Sequence, residues 1–338
     1  MAIPLPAFPE PTYGSDADGL VWGYLLTPAS SARPISATEA AGWLAAPAEG
    51  EFLWLHFNIS NAAALPWLRQ HLDLPSAFLE EIDISGGTTR LEQQDDVLIA
   101  FLHDILFDFR FDATEVASVS IAANQRALVS ARVKPLRSVD RLRSQVKGGG
   151  KFASTAELFA QLLREQADVL AEIIRGATPV VDQAEDGLLA GSRSAKRAKL
   201  SSLRRMLVRF QRLLAPEPAA LFRLLRRPPS WISEPDLEDL RQAAEEFSRA
   251  VADCLALAER IRLVQEELAA LANEKTNESL FLLTFVTVLA IPFNVVGAMF
   301  GMNVAGIPFA HAPNAFWGVV LGVGAVTAVA AWVARRRR

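Results

Sequence analysis

The chain has 338 residues, a net charge of −4, 51% hydrophobic and 21% charged residues, enough for a sizeable core and two structural regions. One cysteine, Cys254, excludes an intrachain disulfide framework and fits a reducing compartment. No charged side chain falls between Ser279 and Phe300, or between Phe316 and Ala334, which sets a wholly soluble protein aside.

The opening MAIPLPAFPEPTYGSDADG has neither a basic n-region nor an apolar h-region, so no cleaved signal is expected. The stretches GLVWGYLL (19–26), EFLWLHFN (51–58), DVLIAFLHDILF (96–107), VASVSIAA (116–123) and ALVSARV (127–133) are rich in β-branched or aromatic residues and read as strands. ALPWLRQHL and PSAFLEEIDI, between the second and third, have helical apolar spacing. Residues 1–150 are therefore expected to form an α/β domain with a mixed sheet, ending at a flexible break, VKGGGK. GGGKF imitates a P-loop only in part, because Gln145 stands where a glycine is required and Phe152 replaces Ser or Thr. His56, His71 and His103 lie in or beside apolar stretches and read as structural. Glu80, Glu81 and Asp83 read as a solvated helix face rather than a metal site.

From Thr155 the pattern is helical, with interruptions expected near Gly176–Thr178–Pro179, Gly191, Pro216–Pro218 and Pro228–Pro229. Residues 193–212 hold eight Lys or Arg and no acid; residues 234–274 hold eleven acids against four Arg. Mutual neutralisation inside one helical bundle is expected, with no nucleic-acid partner. After Ser233-Glu234-Pro235, an N-cap with proline in the first turn, the next breaker is Pro292. Leu240, Ala244, Phe247, Val251, Cys254, Ala258, Ile261, Gln265, Leu268 and Ala272 step by four and three, a heptad seam on one long helix. Residues 151–278 are thus a helical bundle and stalk.

Residues 279–338 form a membrane hairpin: a first span at about 279–300, a loop at 301–315, a second span at about 316–334 and a basic tail, Arg335 to Arg338. The tail is expected to stay cytoplasmic and, with two spans, so is the N-terminal region. The four-three series continues into the first span through Asn273, Asn277, Leu280, Thr284, Thr287, Ile291, Asn294 and Ala298. A lone Thr in such a helix bonds back to its own backbone, but an unpaired asparagine amide in hydrocarbon is costly. The stripe is either a helix–helix glue face or a water-lined path. The path is preferred, because Ile291 and Leu280 set apolar rings among polar ones, as in a dewetting gate. One hairpin cannot enclose a path, so several copies must surround it. The seam and the spacings Gly297-x-x-x-Gly301 and Gly318-x-x-x-Gly322 are the expected means of packing.

At the end of the first span stands Gly301-Met302-Asn303. This tripeptide, after a long acidic helix and before a second span with a basic tail, resembles the CorA superfamily of divalent-cation transporters. The continuation V-A-G-I-P is similar to the ZntB branch, as are LWLHFN (53–58), TTRLEQQDDVLIAF (88–101), RRMLVRFQRLLAPEPAALF (204–222) and PSWISEPDLEDL (229–240). The resemblance implies a funnel-shaped homopentamer in a bacterial inner membrane, with N- and C-termini cytoplasmic and the first spans lining a central pore. Gly301, Met302 and Asn303 would form the outer mouth, and Asn277, Leu280, Thr284, Thr287, Ile291 and Asn294 would fall on pore-facing positions. Two departures stand out: Ala298 replaces a glycine common five residues before the motif's asparagine, and Asn294 replaces a Ser or Thr.

The resemblance favours zinc as the transported cation, with magnesium the alternative and no resident cofactor. Zinc prefers nitrogen and sulfur ligands, which the span lacks; His311 in the loop is the one candidate ligand or proton carrier near the mouth. No H-E-x-x-H, C-x-x-C or G-x-S-x-G is present, and the chain is not expected to be an enzyme. A membrane-anchored sensor is the rival, but it has no need of a polar stripe in register with a heptad seam.

Overall fold

The computed structural model describes residues 14–28, 30–82, 89–110, 115–189, 197–302 and 313–336. The chain divides into two compact units, Met1–Gln265 and Glu266–Arg338.

The first unit is built on a seven-stranded sheet of β1 (Leu20–Thr27), β2 (Ser30–Ile35), β3 (Phe52–Asn58), β4 (Arg90–Gln94), β5 (Val97–Ile105), β6 (Val116–Ala123) and β7 (Ala127–Arg132). Their order is β2-β1-β3-β7-β6-β5-β4; β3 and β7 are parallel and every other pair is antiparallel, so the expected mixed sheet is present. The two strands that hydrophobic patterning missed, SSARPI and RLEQQ, are the edges of the sheet. Edge strands are short and polar because a flat apolar edge invites pairing with other chains. Asp95, in the left-handed region at φ 53°, turns β4 directly into β5.

Helices cover both faces. On one, α1 (Ala37–Ala45), α2 (Ala64–His71) and α3 (Ser76–Glu81) close over Leu55, Phe57, Ile99 and Val129. Ser36 and Glu39 cap α1 reciprocally, a signature of Ser three residues before Glu. On the other, α4 (Arg137–Lys147), α5 (Thr155–Leu189), α7 (Pro216–Leu224) and the start of α8 (Glu234–Phe300) share a core with Trp54, Leu102 and Val119. The basic segment forms α6 (Arg197–Leu214), and α9 (Ala315–Arg336) follows α8.

VKGGGK is not a flexible break but a helix stop. Gly149 N–H donates to the Val146 carbonyl and Gly150 N–H to that of Gln145, the paired bonds that close α4, with Gly149 at φ +92°. Nor does the chain break at Gly176–Thr178–Pro179: α5 runs through Pro179, where burial of Ala177, Val180 and Val181 outweighs the lost backbone bond. The breaks at Pro216 and after Leu224 are present, and Ser233 Oγ accepts from Asp236 N–H at 3.3 Å at the start of α8.

Neutralisation of α6 by α8 is present only in part. Among the described residues no Lys or Arg of α6 forms an ion pair with a carboxylate, but Glu259 of α8 is held below its usual value first by Arg262 and also by the charge of Arg204 of α6, which meets Gln265 at 3.3 Å. The ion pairs of α8 run to α5: Arg260 with Asp182 and Glu185, and Asp239 with Arg164. The heptad seam is corrected. Leu240, Ala244, Phe247, Val251, Cys254, Ala258 and Ile261 are buried within one chain, so this part of the seam is not free to join copies.

His56 is fully buried, and both of its ring nitrogens are bonded. Arg132 Nε donates to its Nε2 at 3.1 Å, its Nδ1 lies 2.8 Å from Ser130 Oγ, and its ring stacks on Trp22 at 4.0 Å. Burial, then the charges of Arg132 and Arg143, hold its pKa well below the usual imidazole value, so it is a neutral core histidine. Cys254 is buried too, and burial pushes its thiol up to about 12. The thiolate is the reactive form. Native protein at pH 8 is therefore expected to leave Cys254 unmodified by iodoacetamide, with full labelling only after denaturation; mass-shift labelling of the native protein would refute this packing.

Candidate functional site: a polar stripe on a membrane helix

The candidate site lies in the second unit, and its frame is the continuous helix α8. From Leu280 to Phe300 the large apolar side chains are more than two-fifths exposed where α8 leaves them uncovered, among them Leu282, Leu283, Val288 and Phe293. A helical window of mean hydropathy 2.2 has none of its residues buried. Such a surface belongs in hydrocarbon, not water. Phe316–Ala330 of α9 is the second apolar segment.

One face of this part of α8 differs from the rest. Phe285, Leu289, Pro292 and Val296 are half-buried at four-three spacing, and Val319, Val323, Thr327 and Ala330 repeat the pattern on α9. At 3.6 residues per turn, the candidate stripe is centred roughly 140° around α8 from its half-buried face. Asn273, Asn277, Leu280, Thr284, Thr287, Ile291, Asn294 and Ala298 are all exposed. Continuity of α8 through Pro292 keeps the eight residues in one register. That proline removes the N–H that would have met the Val288 carbonyl, a local weakness at the depth of Ile291.

The polar groups of the stripe divide by what they already do. Thr287 Oγ1 donates to the Leu283 carbonyl at 2.8 Å, the ordinary back-bond of a membrane threonine. Its only proton is thereby spent, and the oxygen faces outward as an acceptor. Among the described residues the side chains of Asn277, Thr284 and Asn294 find no hydrogen-bond partner in their own chain. In lipid this would be costly, so their face needs water, an ion or another copy.

At the outer end α8 stops at Phe300, and Gly301 N–H donates to the Gly297 carbonyl at 2.9 Å. A Cβ on Gly301 would lie 3.0 Å from that carbonyl, tight but not forbidden; around Gly297, Gly318 and Gly322 the space is open. Met302 is exposed. Asn303 and His311 lie outside the described residues, as does Asp83. Glu81 is half-buried and pairs with Arg90, and no group of three or more His, Cys, Asp or Glu among the described residues is placed to hold a metal.

The family described as CorA-like Mg2+ transporter protein matches residues 49–336. The chain belongs to it. Within this family the divalent cation transporter CmaX of Pseudomonas aeruginosa is 28% identical over 326 residues, 96% of this chain and 97% of that protein. The zinc transport protein ZntB of Pectobacterium atrosepticum is 20% identical over 285 residues, 84% of this chain and 87% of that protein. The structure of full-length CmaX matches with a TM-score of 0.79 at 27% identity, covering 95% of this chain and 98% of that one. The CorA magnesium transporter of Methanocaldococcus jannaschii matches in fold, with a TM-score of 0.72 at 19% identity over 93% of this chain and 97% of that one. The expected fold class is thus that of the CorA family: an N-terminal domain with a mixed sheet, a long helix and a C-terminal hairpin.

If the stripe is a path, Asn294→Leu lowers cation flux into proteoliposomes by at least roughly tenfold, about 1.4 kcal/mol on the barrier. The oligomer should elute unchanged on size exclusion. Full flux from an intact oligomer would make Asn294 a packing residue.

Proposed function

We propose that this protein carries a divalent cation across a bacterial inner membrane through a path surrounded by copies of α8. The observation that carries the reading is the line of Asn277, Thr284 and Asn294, exposed and without partners in their own chain on the side of α8 away from its half-buried face. Family membership supports it. Closure of the path needs several copies, a homopentamer on the resemblance to CorA proteins, with Gly301, Met302 and Asn303 at the outer mouth. The basic tail supports cytoplasmic termini. The protein is a transporter rather than an enzyme on this reading, and the cation is cargo rather than cofactor.

The side chains of the stripe suit an ion that keeps its water. Asn carbonyls and Thr oxygens bind a hydration shell without replacing it, and a ring of carboxylates would hold a divalent ion too tightly to release it. Zinc is the favoured cargo because of the likeness to ZntB proteins. Magnesium is the second reading, and the lack of nitrogen or sulfur donors along the stripe favours it. His311 in the outer loop is the candidate ligand or proton carrier.

Flux into proteoliposomes holding the purified protein separates these readings, comparing Zn2+ with Mg2+ with and without an inward proton gradient. Zinc uptake that rises with the gradient is the expected outcome, and His311→Ala should then weaken that rise. Magnesium flux indifferent to pH would assign the second reading. Flux of neither ion would leave a membrane-anchored sensor.

A further inference from the structure

Strand β4 pairs with β5 only as far as Arg90 opposite Phe101, yet β5 continues to Ile105. Beyond Phe101 no strand among the described residues lies beside the outer edge of β5. Side chains take the strand's place at His103. Glu217 Oε1 accepts from the His103 N–H at 2.7 Å, and Gln166 Nε2 donates to the His103 carbonyl at 3.0 Å. Gln166 comes from α5. Glu217 comes from the first turn of α7, between Pro216 and Pro218, and is 2% exposed.

This arrangement leaves a surplus of acceptors. Glu217 Oε2 and Gln166 Oε1 are buried and, among the described residues, receive no hydrogen bond. The His103 ring acts on the other carboxylate oxygen: its Nδ1 is 3.5 Å from Glu217 Oε1 and 3.1 Å from Thr89 Oγ1, whose own proton goes to the Leu213 carbonyl. A proton on the carboxyl removes the buried charge and one acceptor of the surplus. Oε1 would still accept from His103 N–H, and Oε2 would become a donor.

We infer that Glu217 is a proton-binding site of the N-terminal unit, which as a carboxylic acid seats α7 on the open edge of β5 and on ionising loosens it. The groups facing it decide the balance. Burial opposes the anion, the backbone N–H and ring of His103 favour it, and Asp104 on β5 opposes it, leaving the carboxyl raised to about 7. On β4, Arg90 is taken up by Glu81 and Glu92; on α5, Glu165 is bonded by Gln145 and Gln161. No α6 cation pairs with Glu217 among the described residues. Because α7 joins α6 to the start of α8, cation flux should respond to pH on the side of this unit. That last step rests on the transport reading; the proton site does not.

A group raised from 4.5 to about 7 contributes stability that is complete below 4.5 and lost as pH rises through 7. Asp104, raised from 3.8 to about 6, acts in the same sense at lower pH, and His56 acts in the opposite sense below the usual imidazole value of 6.5. The test uses the full chain in detergent. Its Tm should fall between about pH 6 and pH 8, and Glu217→Gln, neutral throughout, should flatten that fall and raise Tm at pH 8. Infrared difference spectra should show a protonated carboxyl band in the wild type at pH 6 that is gone by pH 8. The band should persist in Asp104→Asn, and in Glu217→Gln it should shrink to the share that Asp104, raised to about 6, contributes at pH 6. A wild type without a carboxyl titrating near neutrality would overturn the proposal even if the variants fail to fold. In proteoliposomes the pH profile of flux should flatten in Glu217→Gln. An unchanged profile would overturn the regulatory step alone, and absence of flux at every pH would overturn the transport reading while the Tm and infrared results stand.

Discussion

Every side chain of the four-three series on α8 needs an environment, and the environment available changes along the helix. Up to Ile261 the series is apolar and the chain's own helices bury it. From Asn273 onward the same geometric stripe turns polar and is exposed. Exposed amides and hydroxyls on an apolar helix bear a desolvation cost in lipid, so this half of the series needs water, an ion or another copy, where the other half needs only its own chain.

The N-terminal unit solves a related problem, that of backbone groups left over where elements end. Asp104 caps α4 from a neighbouring strand: it accepts from Ser138 N–H at 3.1 Å and Ser138 Oγ at 2.6 Å, and burial raises it to about 6 despite those bonds. A carboxylate at a helix N-terminus also meets the positive end of the helix dipole. Ser130 takes the Trp54 N–H at 3.0 Å while lying 2.8 Å from His56. Glu217 and Gln166 fill the missing ladder position at His103. These polar groups are buried because strands and helices of unequal length must be joined without orphaned amides.

This division explains what was legible in the sequence. The central strands, the long helix and the apolar helix after it carry strong apolar patterns, Ser233 carries a cap signature, and each is where the sequence puts it. The stripe was legible because asparagine in a charge-free run has no apolar explanation. The edge strands β2 and β4 carried no such pattern, since edges are selected against it. Pro179 misled because tertiary burial outweighs a local breaker, and the glycines after α4 misled because a helix stop and a flexible linker share one composition. Pairing across the bundle was illegible for a plainer reason. Charge totals of segments do not say which side chains pair: the ion pairs of α8 with another helix run to α5, and of the α6 arginines only Arg204 acts on an acid of α8, Glu259. Glu217 gave one signal, an acid held between two prolines in a turn, but its partner His103 is more than a hundred residues away in sequence and only the fold joins them.

The absence of carboxylates from the stripe has a physical reason. Glu274 and Glu278 are exposed on α8 just before the apolar run, and at 3.6 residues per turn they lie roughly 60° to 120° around the helix from Asn277 and Thr284, beside the stripe and not on it. Carboxylates there raise the local cation concentration through a field that reaches about 8 Å at physiological ionic strength, without contributing a ligand to the path. Inside the span, an isolated carboxylate would bear the desolvation cost of a buried charge and bind a divalent ion strongly once it arrived. Asn and Thr oxygens offer partial charge only. Thr287, with its proton given to Leu283, offers it with a fixed sign. A path for a doubly charged ion is then built from acceptors weak enough to let it leave, and the attraction that brings the ion falls to charges kept off the stripe.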